Sequence, residues 1–156
     1  MLFRSPTELV WIQRKTRSTT VHTDGDTSLR ISIVPNLWRQ RHLARLMSRW
    51  LGTIEGDIGT LLCSGANRAL VDHLVHASAD GDIFVLEHPW LWPALRAVLR
   101  RRRGVVVYDA HNVESVLKRE AFPPGRISAW VLRAVERLEA ELVRRADLVQ
   151  IGRAHF

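Results

Sequence analysis

The second half of the chain alternates between short apolar runs and longer segments with helical spacing. The apolar runs lie at residues 82–86, 105–108 and 147–151, and each is typical of a strand buried in a parallel sheet. Helical spacing is found at residues 90–100, 113–121 and 126–146, the last with an apolar stripe of Ile127, Val131, Ala134, Leu138 and Leu142. Strands that alternate with helices of this length predict an α/β, Rossmann-like fold, with a mostly parallel sheet and helices on both faces.

The first half of the chain carries weaker patterns. Residues 30–34 alternate and stop at Pro35, which predicts a strand, and the turn signal Asp24-Gly25-Asp26 predicts short strands on either side of it. Residues 37–51 predict a basic amphipathic helix and residues 65–77 a second helix, whereas residues 52–63 fit a strand or a loop. We therefore expect a poorly defined segment over residues 1–35 and a Rossmann-like domain over residues 36–151.

Composition narrows the class of protein. A length of 156 residues suits one domain. The lone Cys63 excludes an internal disulfide, and no Cys/His cluster has the spacing of a zinc site, so we expect no metal and a reducing, cytoplasmic setting. No segment approaches the roughly 18 to 20 apolar residues that cross a bilayer, and the N-terminus does not resemble a signal peptide.

The net charge of +7 favours an anionic partner such as nucleic acid or a membrane surface. Arginine supplies all of the cations except Lys15 and Lys118, a skew that GC-rich coding DNA produces without selection for binding. The arginine-rich helix at residues 39–49 keeps a nucleic-acid-binding protein open as one alternative. A non-catalytic, Rossmann-like partner module is another.

Polar clusters follow two of the predicted strands. Glu87-His88-Pro89 comes after Leu86, and Asp109-Ala110-His111-Asn112 comes after Tyr108. Ligands of open parallel sheets bind beyond the carboxyl ends of the strands, so these loops are candidates to bind sugar hydroxyls or a phosphate if their strands are neighbours. Each histidine also has a structural interpretation, as a loop residue bonded to backbone or as a polar helix entry.

Three segments together resemble a known family. They are Asp-Ile-Phe-Val-Leu-Glu-His-Pro from Asp82, Val-Val-Tyr-Asp-Ala-His-Asn-Val-Glu from Val106, and the helix that carries Glu139 into Arg-Arg-Ala-Asp-Leu-Val. In order and spacing they resemble the N-terminal, acceptor-side domain of family 4-type GT-B glycosyltransferases. The resemblance covers under half of the chain, and residues 108–114 are its most specific part. It implies retaining transfer of a sugar from a nucleotide-sugar co-substrate to a hydroxyl acceptor, between two Rossmann-like domains and without a cofactor.

The resemblance also implies roles for individual residues. His111 matches the histidine that faces the donor sugar, and so would orient the donor and stabilise charge near the reacting carbon. His88, with Glu87, would lie on the acceptor side. Asp109, Asn112 and Glu114 would complete the substrate-binding set. Some family members work at the inner face of the cytoplasmic membrane. The expected partners are therefore a glycan or lipid-linked acceptor of the cell envelope and, through a peripheral contact, the membrane itself; nucleic acid is not among them.

The chain departs from the family pattern in three places. No glycine-rich phosphate loop follows a first strand, and the donor-binding domain with its paired glutamates is absent. Residues 151–155, Ile-Gly-Arg-Ala-His, stand where a serine-containing loop would continue. Because one frame of a common sequencing adapter encodes Ile-Gly-Arg-Ala-His-Val, we expect residues 152–156 to be an artefactual tail of a gene cut short. Because the donor-binding domain is absent, we expect the fragment to be inactive alone.

Overall fold

The chain divides into two compact units. A computed structural model describes residues 7–13, 17–22, 28–35, 38–51 and 55–152. The units are Met1–Leu37 and Trp38–Phe156. The turn predicted at residues 24–26 and, apart from Gly152, the tail of residues 152–156 lie outside the described residues.

The first unit contains a three-stranded mixed sheet. Its strands are β1 (Thr7–Gln13), β2 (Arg17–His22) and β3 (Ser28–Pro35). The central strand β3 pairs in parallel with β1 and antiparallel with β2. The strands predicted around residues 24–26 are confirmed as β2 and β3, whereas β1 was not predicted.

The second unit alternates helices with strands. The helices are α1 (Trp38–Leu51), α2 (Glu55–Cys63), α3 (Arg68–Ala77), α4 (Trp92–Val98), α5 (Glu114–Ala121) and α6 (Arg126–Arg145). The strands are β4 (Asp82–Leu86), β5 (Gly104–Ala110) and β6 (Leu148–Ile151), and short 3₁₀ turns cover Ser64–Ala66 and Pro89–Leu91. The predicted helices and the positions of the three predicted strands are confirmed, and the ambiguous segment 52–63 is helical from Glu55.

The sheet of the second unit is open and fully parallel, with strand order β4-β5-β6. Leu86 of β4 lies opposite Tyr108 of β5, which lies opposite Val149 of β6. Helices connect each strand to the next, as parallel pairing requires. The unit therefore has a mixed α/β fold of the Rossmann-like class.

The two faces of this sheet differ in burial. One face carries Leu86, Val106, Tyr108 and Ala110, which are buried, whereas the other carries Ile83, Val85, Val105 and Leu148, which are 42% to 67% exposed. Parallel sheets are usually covered on both faces. Within the described part of this unit, the prediction of helices on both faces therefore holds for one face only.

The core joins helices that are distant in sequence. Leu51 of α1, Leu61 of α2 and Trp90 pack with Phe122 and with Val131 and Val135 of α6. Burying one such side chain contributes about 1.5 to 3 kcal/mol. The core thus fixes α6 beside the loop after β4. Among the described residues, none of the helices combines the length and the apolar character needed to span a membrane.

Candidate functional site

The polar loops after β4 and β5 meet at one edge of the sheet. Because these strands are adjacent and parallel, both loops leave from the same end. His111 Nε2 lies 3.9 Å from Glu87 Oε2, and the rings of His88 and His111 are 6.4 Å apart. The prediction that the two loops lie close together is confirmed.

A second and tighter pair lies behind the first. His88 Nδ1 is 3.0 Å from Glu114 Oε1, at the beginning of α5. The Glu114 side chain is only 5% exposed, whereas that of His88 is 46% exposed. The buried carboxylate therefore holds one edge of an imidazole whose remainder reaches solvent.

Lys118 balances the charge of this buried carboxylate. Its Nζ lies 3.9 Å from Glu114 Oε2, one helical turn along α5, and 5.5 Å from the centre of the Trp90 ring. The ammonium group is stabilised electrostatically both by the carboxylate and by the face of the indole ring. The inner pair thus sits in a compensated environment rather than as an isolated buried charge.

Glu139 of α6 caps the N-terminus of α5. Its Oε1 accepts hydrogen bonds from the Glu114 N–H (2.8 Å) and the Tyr108 hydroxyl (3.3 Å), and its Oε2 accepts from the Ser115 N–H (3.2 Å). The residue at the N-cap position is Val113, whose side chain has no acceptor. A carboxylate from another helix therefore satisfies amides that the local sequence leaves unbonded.

Tyr108 remains a hydrogen-bond donor in this network. Burial raises the pKa of its phenol well above the usual value, and the charge of Glu139, the hydrogen bond to it and the charge of Glu114 raise that pKa further. The hydroxyl therefore stays protonated over the whole physiological range and donates to Glu139.

The remaining predicted site residues lie at the margin of this cluster. Asp109 is within β5, between Tyr108 and Ala110, so its side chain points to the opposite face of the sheet. Asn112 is exposed in the turn after His111. The structure thus brings together Glu87, His88, His111 and Glu114, whereas Asp109 lies on the face of β5 opposite Tyr108 and Ala110.

Sequence patterns assigned no role to Lys118 or Glu139. The signal for Glu139 is its position on the buried face of α6, which carries Ser128, Val131, Val135, Glu139 and Leu142. The predicted stripe is confirmed at Val131 and Leu142, but the buried face is rotated relative to it, since Ile127 is exposed and Ala134 and Leu138 are only partly buried against the core. An acidic residue on a buried face indicates a specific hydrogen-bonding partner.

The cluster offers donors and acceptors for a polar ligand but no metal cage. Across the described residues, no three His, Cys, Asp or Glu side chains are grouped so that they could hold a metal ion. Two half-exposed imidazoles, each beside a carboxylate, can instead exchange hydrogen bonds with hydroxyl groups.

Comparison of the chain with protein-family models, with curated proteins and with solved structures found no match. The sequence motifs and the geometry of this cluster are therefore what indicate its function.

Proposed function

We propose that the second unit is the acceptor-side domain of a retaining, GT-B-type glycosyltransferase of the family 4 type. The observation that carries the proposal is the convergence of Glu87, His88 and His111 at the carboxyl ends of β4 and β5. This edge is where open parallel sheets bind ligands, and hydroxyl-rich ligands need such closely spaced donors and acceptors. The motifs that resemble the family supply these same residues.

The roles divide between the two loops. His111, with Glu87 beside it, would orient the donor sugar and stabilise positive charge that develops at its reacting carbon. His88, held by Glu114, would bind the acceptor hydroxyl. Asp109, at the end of β5, and Asn112, in the loop that follows, would support substrate binding.

Catalysis would require a second, donor-binding domain. The leaving group of this chemistry is a nucleoside diphosphate, and stabilising its charge is a large part of lowering the barrier. In the family such stabilisation comes from the donor-binding half. We therefore propose that the 156-residue chain binds ligand but does not transfer sugar, and that its activity in the full enzyme is exerted from the cytoplasmic side.

Binding can be tested by following the histidine rings. The ¹⁵N-labelled chain is titrated with simple glycosides and with nucleotide sugars while the ring signals of His88 and His111 are monitored. We expect the signals of both rings to shift in the wild-type chain. In His111→Gln, where only the His88 ring remains, we expect its response to be lost. His76, an exposed histidine of α3, is the matched control and should not respond.

Two outcomes would contradict the proposal. If the ring signals of His88 and His111 stay unchanged with every glycoside and nucleotide sugar, the cluster does not bind these ligands. Sugar transfer by the purified chain alone would contradict the need for a second domain.

One surface feature favours a second candidate, binding of single-stranded nucleic acid. A groove of about 590 Å³ on α6 is lined by Arg96, Trp130, Arg133, Ala134, Arg137, Leu138 and Glu141. Arg96 is paired with Glu141, whereas Arg133 and Arg137 add two further positive charges and Trp130 is half exposed, a combination that suits phosphates and a stacked base.

The two candidates predict opposite responses. Nucleic-acid binding would quench tryptophan fluorescence on addition of an oligonucleotide, weaken steeply with salt, and be lost in the double variant Arg133→Ala, Arg137→Ala. It would leave the rings of His88 and His111 unchanged. No quenching at low salt would eliminate this candidate.

A further inference from the structure

We infer that Glu139 and Glu114 act in series to hold the proton of neutral His88 on Nδ1, so that Nε2 is presented to solvent as a hydrogen-bond acceptor for a ligand hydroxyl. Glu139 and Glu114 are then positioning residues, and His88 is the residue that touches the ligand. Only the identity of that hydroxyl, as the one that receives the sugar, rests on the proposed function.

The first step is the fixing of α5 by Glu139. Its two carboxylate oxygens accept from the N–H groups of Glu114 and Ser115, the first two residues of α5. A negative charge at this end of a helix is also favoured by the helix dipole. The backbone of Glu114 is therefore tied to α6, which the core holds in place.

The second step is the fixing of the Glu114 side chain. Its backbone is held by Glu139, its Oε2 is near the Lys118 ammonium, and its carboxylate is almost completely buried. Few rotamers remain for a side chain enclosed in this way. Oε1 is thus directed at His88 before any ligand binds.

The third step concerns the proton on the imidazole. A carboxylate can only accept, so the 3.0 Å contact requires that His88 Nδ1 carries a hydrogen. In the neutral ring the other nitrogen then has none and offers a lone pair. Because nearly half of the His88 side chain is exposed, a hydroxyl can reach that nitrogen.

The protonated nitrogen can be read directly by NMR of ring-labelled histidine. At about pH 8.5 an ordinary histidine is neutral, and the ¹⁵N shifts of the ring separate its two tautomers. His76 is an internal reference, because its Nδ1 lies 2.6 Å from the Asp72 carbonyl, which also can only accept. We expect His88 to show the same Nδ1–H form as His76. A proton on Nε2 of His88 would overturn the inference.

Variants test whether the two glutamates act in series. Glu139→Gln keeps the volume but leaves one acceptor oxygen for three donors, so we expect the ratio of Nδ1–H to Nε2–H forms to fall roughly threefold. Glu114→Ala removes the acceptor, and we expect a fall of about tenfold. The matched control is Glu136→Gln, which removes a carboxylate one turn away on α6 that pairs with Arg119 instead.

Three results would count against the series. They are an unchanged ratio in folded Glu139→Gln, an unchanged ratio in Glu114→Ala, or an equal fall in Glu136→Gln. If both variants at the network fail to fold, the wild-type spectrum still decides the position of the proton.

The ligand step uses methyl α-glucoside as the probe. We expect it to shift the Nε2 signal of His88 in the wild-type chain, and to do so less in Glu139→Gln. A correct tautomer with no response to the glucoside would overturn the hydroxyl-binding part. If His88 responds but nucleotide sugars leave His111 unchanged, the inference holds and the proposed glycosyltransferase function fails.

Discussion

Gly104 is the position where an added methyl group should disturb the sheet most. It begins β5 and lies opposite Asp82 of β4. A Cβ at this residue would lie 2.6 Å from the Asp82 carbonyl oxygen and 2.5 Å from Cε2 of Phe84. Unstrained contacts between carbon atoms are about 3.5 to 4.0 Å long. The Phe84 ring can turn aside, but the carbonyl belongs to the backbone of β4, so the two strands must move apart.

The cost of Gly104→Ala follows from this geometry. Overpacking that shifts backbone costs about 1 to 3 kcal/mol. At about 4 °C per kcal/mol for a domain of this size, the melting temperature should fall by about 4 to 12 °C. Since the same two strands carry Glu87 and His111, we also expect the Glu87–His111 contact to lengthen.

Thermal unfolding followed by circular dichroism measures the effect. Gly152→Ala is the matched control, because its added Cβ would meet only ordinary contacts, the nearest being 3.5 Å from the Ala110 carbonyl oxygen. We expect Gly152→Ala to melt within about 2 °C of the wild type. If Gly104→Ala and Gly152→Ala have the same melting temperature, β4 and β5 do not approach each other as closely as described.

Three further predictions address ionisation and burial. The unfolded chain should release the proton of Tyr108 above about pH 10, whereas the raised pKa keeps that proton bound in the folded chain, so the free energy of unfolding should fall as the pH rises above that value. Because Tyr108 is the sole tyrosine, absorbance at alkaline pH reports its ionisation, with Tyr108→Phe as the blank. Burial raises the pKa of the Cys63 thiol, so a thiol reagent should react slowly with the folded chain and quickly in denaturant; equal rates would contradict this. In chemical denaturation, Val85→Thr on the exposed face should lower the free energy of unfolding by less than about 0.5 kcal/mol, whereas Val106→Thr on the buried face should lower it by about 1 to 3 kcal/mol. Equal losses would mean that the exposed face is covered.

The strands and helices around the site could be predicted because their signals are local. The apolar runs at β4 and β5 and the turn residues that flank them specify strands without reference to the rest of the chain, although only one face of each strand is buried. The helix α2 could not be predicted, because Gly56 and Gly59 lower its intrinsic propensity. Packing of Leu61 in the core outweighs that loss, and packing is not a local property.

The buried face of α6 was misassigned in part, for a related reason. Periodicity counts apolar residues, and so it favoured Leu138 over the adjacent Glu139. The helix instead turns Glu139 inward, where three donors compensate the cost of burying its carboxylate. Those donors come from β5 and α5, between 24 and 31 residues away, so no local pattern reports them.

The arrangement of the site separates a fixed part from an adaptable part. His88 and Glu114 are 3.0 Å apart with the carboxylate buried, so their geometry is set before a ligand arrives. His111 and Glu87 are 3.9 Å apart and both more than half exposed, and such surface pairs contribute at most about 1 kcal/mol. Glu87 can therefore turn from His111 to a ligand at little cost. His88 cannot leave Glu114 without removing a hydrogen bond from a buried carboxylate. A ligand should thus meet one histidine of fixed orientation and one that adjusts to it, which suits a site that must hold one hydroxyl in place while a second group is brought against it.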